Sequence, residues 1–384
     1  MAEEASPTPA RLADIRREID AVDMELLALL NRRAGLSMEV GRIKAAGEGI
    51  IYKPLREREV LDRLAARNAG PLPEAHLRNI WREIFSSSRA LQRPQHVAYL
   101  GPEGTFSYFA GVEYLGRSVR FQPCRDLQEV FACVHDGQCG LGVVPLENSL
   151  QGTVGVSFDL FFTYDVRIQA ELFLRVSHCL LGAVSSLAEV RAVYSHPQPL
   201  AQCGSWLREH LPNARLVPME STAAAALRAS EEAGAASIGN VSLAAMHNLN
   251  VLARAIEDDS GNWTRFVIIG PQDGKADSAP SPLPGHAGAA DKTSLLFTLP
   301  DKAGALSVVL ESLARAGINM RKLESRPMRG ERWKYVFFAD VECDLRQPSH
   351  AALVEELRTL CTSFRILGAY PTGPQLDRVH LENS

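Results

Sequence analysis

The sequence predicts a multidomain chain: an all-α N-terminal segment, a two-lobed α/β middle and an α+β, ferredoxin-like C-terminal sandwich. Three observations predict it. Apolar residues recur at helical spacing through residues 9–93, short apolar runs alternate with glycine-rich turns through 95–270, and the elements over 291–372 follow the order βαββαβ. Between the last two, residues 271–290 (PQDGKADSAPSPLPGHAGAA) are small, Pro/Gly-rich and aperiodic, which predicts a flexible linker. At 384 residues the chain has room for two or three separately cored units.

Lys plus Arg number 41 and Asp plus Glu 45, a net charge of −4. That balance argues against nucleic acid or an anionic membrane as the main partner and leaves a small molecule or another protein. Cys124, Cys133, Cys139, Cys179, Cys203, Cys343 and Cys361 form no Cys-x-x-Cys pair and no zinc-type spacing, so they are expected to be reduced core thiols with no metal bound. No run reaches 18 apolar residues, and the acidic start MAEEASPTPA is unlike a signal peptide. A soluble, cytoplasmic protein is expected.

In the first segment, Leu12, Ile15, Ile19, Val22, Leu26, Leu29, Leu36, Val40 and Ile43 trace one very long helix, with Thr8 as cap, Pro9 in the first turn, and Gly47 and Gly49 beyond the end. A second helix starts at Pro54 and stops near Asn68, and a third carries Leu77, Ile80, Trp81, Ile84, Phe85 and Leu91. Two short companions cannot cover the stripe of the long one, so dimerisation is expected. Arg33 and Lys44 share a face of the first helix, about 16 Å apart, whereas Arg16 lies about 26 Å from Arg33. If Arg16 takes part in the same site, it comes from a second chain. Ser88 and Gln92 continue the apolar stripe of the third helix with polar groups, and Arg56 and Glu57 open the second. By periodicity alone, these cations fit side chains lying along a dimeric bundle.

Residues IRREIDAVDMELLALLNRRAGLSMEVGRIK and IYKPLREREVL resemble the all-helical chorismate mutases across 11–93. The resemblance implies rearrangement of chorismate to prephenate, a pericyclic step that needs no cofactor. Arg33, Ser88 and the Arg16 of a partner chain would hold the carboxylates, Lys44 and Gln92 would donate to the ether oxygen, and Arg56 with Glu57 would fix the ring hydroxyl. Lys53 stands where some relatives carry an acid, which leaves Glu57 to bind the hydroxyl alone.

In the middle segment, Gly101–Ser107 (GPEGTFS), Glu147-Asn148-Ser149 with Gly152-Thr153, and Ser195–Gln198 with Gln202 each follow an expected strand. Such turns present backbone N–H groups to an anion. Glu220-Ser221-Thr222 opens another helix, and Asn262-Trp263-Thr264-Arg265-Phe266 precedes the strand VIIG. A neutral hydroxyl beside a cation suits holding a carboxylate while donating a proton, although Arg265 fits a structural ion pair equally. His196, next to Pro197, reads as a packed turn residue.

Together GPEGTFS, PLENSLQGTV, SHPQPLAQC, ESTAAA and the Thr-Arg-Phe triplet resemble the prephenate dehydratases over 96–270, in the family's order. The resemblance implies a two-lobed, periplasmic-binding-protein-like domain that converts prephenate to phenylpyruvate, carbon dioxide and water. Thr264 would be the hydroxyl nearest the chemistry and Arg265 would bind a carboxylate. Glu147, Asn148, Ser195, Gln202 and Glu220 would line the cleft, with Thr105 and Ser107 supplying loop contacts. Either Glu147 or Thr264 delivers the proton.

In the last segment, GALSVVLESLARAGINMRKLESRP resembles the ACT regulatory domain of prephenate dehydratases. The resemblance implies a phenylalanine site at a domain interface, built from Gly304, Ala305, Leu306, Asn319, Glu324, Ser325, Arg326 and Pro327, and feedback inhibition through a dimer or a higher homo-oligomer. The three resemblances name successive parts of one pathway. A non-catalytic regulator is the rival reading; it expects losses among Arg16, Arg33, Lys44, Arg56, Glu57, Gln92 or Thr264, and all are present.

Overall fold

The computed structural model describes residues 9–45, 54–92, 96–117, 119–272, 291–328 and 334–376, with side chains left out at 9–10, 41–45, 54–59, 89–90 and 92. Thr8, Gly47, Gly49, Lys53 and residues 273–290 of the expected linker lie outside the described residues.

Three helices come first: α1 (Pro9–Ala45), α2 (Pro54–Arg67) and α3 (Glu74–Gln92). Leu61, Leu77 and Phe85 are buried where α2 meets α3, with Val60, Leu64 and Trp81 around them. On α1, Leu12, Ile15, Ile19, Val22, Leu26, Leu29 and Leu30 stay exposed in the single chain. The helix continues because its residues have high helical propensity, and α2 and α3 do not cover its stripe.

The next domain has two lobes. In the first, strands β1 (His96–Leu100), β2 (Arg120–Cys124), β3 (Leu141–Asn148), β4 (Gly152–Thr153) and β5 (Val166–Arg175) alternate with helices α4 (Phe106–Leu115), α5 (Leu127–His135) and α6 (Gly155–Thr163). In the second lobe, β6 (Cys179–Gly182), β7 (Ala192–Ser195), β8 (Arg215–Pro218), β9 (Ala235–Gly239) and β10 (Asn250–Ala253) pack with α7 (Pro197–Gln202), α8 (Gly204–His210), α9 (Thr222–Glu231) and α10 (Ser242–His247). Strand β11 (Trp263–Pro271) then returns to the first sheet, between β5 and β3. The parallel β2-β1-β3 core has helices on its faces, as parallel sheets require. The chain crosses between lobes twice, at 176–178 and 254–262, and the crossings bond to each other through Val176 N to Asn262 O (2.8 Å) and Ile256 N to His178 O (3.0 Å).

The C-terminal unit is an antiparallel sheet of order β13 (Met320–Pro327), β14 (Tyr335–Val341), β12 (Lys292–Thr298), β15 (Ser363–Tyr370), with α11 (Ala305–Arg315) and α12 (Ala351–Leu360) on one face. This is the expected βαββαβ order. Leu295, Phe297, Ala339 and Val341 face the helices, whereas Leu296, Val336, Phe338 and Leu367 join the core of the preceding domain. A last strand, β16 (Gln375–Leu376), pairs parallel to β5. The sheet is thus buried on both sides, and its far face belongs to the neighbouring domain.

Candidate active sites

In the helical domain, Arg33 on α1 donates to the Ser88 hydroxyl on α3 and lies 5.3 Å from the Phe85 ring centroid. Ser88 in turn donates to Ile84 O at 2.7 Å. Two residues 55 apart in sequence therefore meet, because α3 folds back along α1. Arg16 is exposed in the first half of α1, about 26 Å from Arg33 along the helix. Lys44, Arg56, Glu57 and Gln92 lie on these helices, but their side chains are outside the described residues.

In the two-lobed domain, antiparallel pairing of β11 with β3 sets Thr264 opposite Asn148 and Arg265 opposite Glu147. Asn148 Nδ2 donates to Thr264 Oγ1 at 3.0 Å and to Asn262 Oδ1 at 2.7 Å, while Asn148 Oδ1 accepts from Leu150 N and Gln151 N. Every polar atom of the Asn148 side chain is engaged, which fixes both the residue and the Thr264 oxygen. Asn262, 1% exposed, keeps an Nδ2 without a partner among the described residues.

The adjacent positions differ, and two expectations are corrected here. Arg265 does not reach the cleft: Nε donates to Glu171 Oε2 (2.7 Å), Nη1 to Asp340 Oδ2 (2.6 Å) and Nη2 to the Tyr370 hydroxyl (3.1 Å), with the residue 5% exposed. Glu147 also turns away, its Oε1 lying 2.6 Å from Lys322 Nζ of β13. Successive residues on a strand point to opposite faces of the sheet, so with Arg265 on the ACT side Thr264 takes the other face. The pairing of Glu147 with Arg265 places it there too.

Other expected residues hold loops. Thr105 caps α4, donating to Leu100 O at 2.8 Å and accepting from Tyr108 N. Ser195 is buried and donates to Ile238 O at 2.8 Å. Ser107 is buried, and Glu220 is exposed just before Ser221, which caps α9. Gln202 Oε1 lies 2.9 Å from His178 Nε2, and Gln202 Nε2 is buried without a partner among the described residues. His196 caps α7 through Nδ1, as its turn position implies.

His178 itself carried no sequence signal, being one residue of the crossing. Its ring packs edge to face with that of Phe106 (ring centroids 5.9 Å apart), so the GPEGTFS loop, α7 and the first crossing meet on it. Burial holds its imidazole below the usual range, against the opposing pull of Gln202 and Glu257, so the ring is neutral. Gly104, at φ +89°, sits where an added Cβ would lie 2.6 Å from Leu243 Cδ2 of the other lobe. Only glycine lets this loop approach the second lobe so closely.

In the C-terminal unit, Gly304 (φ +80°) precedes α11, and Ala305 and Leu306 line a pocket of about 560 Å³ with Phe162, Tyr335 and Phe337. Asn319, beyond the other end of α11, donates to Glu342 Oε2 at 2.6 Å. On β13, Glu324 accepts from Thr153 and Arg326 Nε lies 3.4 Å from Asp159 Oδ1, so both face the two-lobed domain, while Ser325 and Pro327 are exposed on the other side. Strand alternation again divides a contiguous motif between two faces.

Residues 15–93 match the family model of chorismate mutase type II, residues 97–274 that of prephenate dehydratase and residues 293–359 that of the ACT domain. The bifunctional chorismate mutase/prephenate dehydratase of Aquifex aeolicus is 38% identical over 364 residues, covering 94% of this chain and 98% of that one. Among solved structures, the prephenate dehydratase of Arthrobacter aurescens in complex with L-Phe is 31% identical with a TM-score of 0.64, covering 72% of this chain and 90% of that one. A protein described as a novel type of quorum quenching acylase is 32% identical with a TM-score of 0.64, covering 73% of this chain and 98% of that one. Full-length identity, three domain matches in series and a two-lobed cleft backed by an ACT sheet agree: the chain belongs to the bifunctional chorismate mutase/prephenate dehydratases.

Proposed function

We propose that the two activities act in succession on one carbon skeleton, in a cytoplasmic homodimer that phenylalanine inhibits. Chorismate is rearranged in the helical domain. Arg33, with Ser88 as its partner, holds one carboxylate, and Arg16 of the partner subunit holds the other. Lys44 and Gln92 donate to the ether oxygen as charge develops there, and Arg56 and Glu57 hold the ring hydroxyl. The uncovered apolar stripe of α1 supports the second copy, and seven free thiols fit a reducing compartment.

Prephenate then reacts between the lobes. The observation that carries this reading is the Asn148–Thr264 bond. Because Thr264 Oγ1 accepts from Asn148, its own proton is directed elsewhere, toward the ring hydroxyl of a bound substrate. The bond from the ring to its carboxylate breaks, releasing carbon dioxide, and the electron pair completes the aromatic ring. The C–O bond breaks as the oxygen takes the proton and leaves as water, and solvent restores the proton to Thr264. The Nε2 of Gln202, buried without a partner among the described residues, is a ready donor to a substrate oxygen, and Ser107 and Glu220 complete the lining in this reading. Neither reaction calls for a cofactor.

In the ACT domain, Gly304–Leu306 and Asn319 lie at opposite ends of α11, a helix about 16 Å long, so one phenylalanine cannot touch both within one copy. Val308, Leu323 and Tyr335 leave apolar surface exposed there, which suits pairing with a second ACT domain. The test is proton NMR of products from chorismate, with and without phenylalanine. Phenylpyruvate that falls when phenylalanine is added is the expected result. Unchanged chorismate would overturn the catalytic reading, and phenylpyruvate formation indifferent to phenylalanine would overturn the regulatory one.

A further inference from the structure

A continuous chain of buried polar groups crosses the boundary between the dehydratase and ACT domains. Lys292 Nζ donates to Glu171 Oε1 (2.6 Å), Glu171 Oε2 accepts from Arg265 Nε (2.7 Å), and Arg265 Nη1 donates to Asp340 Oδ2 (2.6 Å). Ser294 donates to Asp340 Oδ1, and the Tyr370 hydroxyl lies between Ser294 and Arg265. Arg265 and Glu171 belong to β11 and β5 of the dehydratase sheet; Lys292, Ser294, Asp340 and Tyr370 belong to the ACT sheet. Two positive and two negative charges alternate, so the network is neutral.

Stability alone does not account for such an arrangement. Each buried ion gives up its solvation, and apolar side chains of similar volume often serve a core as well or better. A charge network does something apolar packing does not: it fixes one geometry, because each guanidinium N–H has one acceptor at one distance. Here the fixed geometry sits one residue from Thr264. Strand β11 begins at Trp263, so Thr264 is its second residue, paired with Asn148 of β3 on one side and Leu174 of β5 on the other. Arg265 is the next residue inward, and its side chain is anchored in the interior on the opposite face of the sheet from that of Thr264.

We propose that Arg265, held by Asp340 and Tyr370 of the ACT domain, is a positioning residue for the dehydratase reaction. It does not touch prephenate. It clamps the strand end that carries Thr264, so the ACT sheet completes the dehydratase site from behind. The Thr264–Asn148 bond then depends on residues about 75 and 105 positions further along the chain. A displacement of about 1 Å at a reacting group costs on the order of 100-fold in rate, which is the scale on which the clamp acts.

The test uses the full chain with Arg265→Lys, Asp340→Asn, Tyr370→Phe and the Arg265→Lys/Tyr370→Phe double variant. Tyr370→Phe removes one hydrogen bond and keeps the shape of the core, so it remains informative even if the charge variants fold poorly. Steady-state kcat and KM for prephenate are measured alongside mutase activity and thermal melting of the same preparations, the parent's phenylpyruvate production being the control for the activity itself. The expected result is a kcat lowered about 3- to 10-fold by Tyr370→Phe and about 10- to 100-fold by Arg265→Lys, with KM within about 2-fold and mutase activity unchanged. The double variant is expected to be no worse than Arg265→Lys alone, since both break one clamp. A raised KM at unchanged kcat in Arg265→Lys, with Tyr370→Phe like the parent, would overturn the proposal and make Arg265 a substrate ligand. Losses of kcat that match only the loss of folded protein, or parent-like kinetics in every variant, would also overturn it.

Discussion

Asn148 Nδ2 donates to Thr264 Oγ1 across the pairing of β3 with β11, 116 residues apart in sequence. The bond occupies one acceptor site of the threonine oxygen, and in the proposed mechanism the hydroxyl proton goes to the substrate. Thr264→Val keeps the shape and removes the proton. Phenylpyruvate formation is expected to fall about 100-fold or more, on the scale of a lost general acid, while chorismate is still consumed and prephenate accumulates. Coupled assays of the two steps on one preparation check this; an undiminished second step would remove Thr264 from the chemistry.

The mutase site requires two chains if Arg16 and Arg33 serve the same ligand. Arg16→Ala and Arg33→Ala homodimers are each expected to be nearly inactive. In an equal mixture after subunit exchange, half the dimers are mixed and each has one intact site, so about a quarter of parental activity should return. No recovery after exchange has been demonstrated would mean that the sites are not shared.

His178 makes stability depend on pH. Its imidazole is held neutral by burial, below the ordinary value of 6.5, so the unfolded chain takes up a proton that the folded protein resists. The stability associated with neutral His178 is therefore full above about pH 6.5 and is lost as pH falls below it. In His178→Gln the melting temperature should fall less steeply from pH 7 to 5 than in the parent. Parallel melting curves across that range would refute this.

At Gly104 the demand for glycine is twofold, positive φ and contact with Leu243 of the opposite lobe. Gly104→Ala is expected to destabilise the two-lobed domain by about 1–3 kcal/mol and to lower dehydratase activity much more than mutase activity. Thermal melting and the two assays measure both effects, and an equal loss in the two activities would point away from the interlobe contact.

The stripe Leu12, Ile15, Ile19, Val22 specifies the long helix whatever surrounds it, and the turns at Thr105, His196 and Ser221 cap the helices that their sequence announces. The motif Asn262-Trp263-Thr264-Arg265-Phe266 reads in sequence as preceding the strand VIIG, whereas Trp263–Phe266 are the first residues of that strand, so a hydroxyl read beside a cation joins two side chains that the strand sends to opposite faces. His178 was not legible at all, because its role lies in what converges on it: Phe106 from one loop and Gln202 from α7.

The order and type of the elements, the three domains and the motifs at the strand ends were determined by the sequence alone, because hydrophobic period, caps and turn residues are local properties. Only the tertiary structure decided which face each motif residue serves. Arg265 and Glu147 fall to the ACT side and Asn148 and Thr264 to the opposite face because strand pairing and the packing of one sheet on another are long-range choices, settled by burying Leu296, Val336 and Phe338 against the dehydratase core.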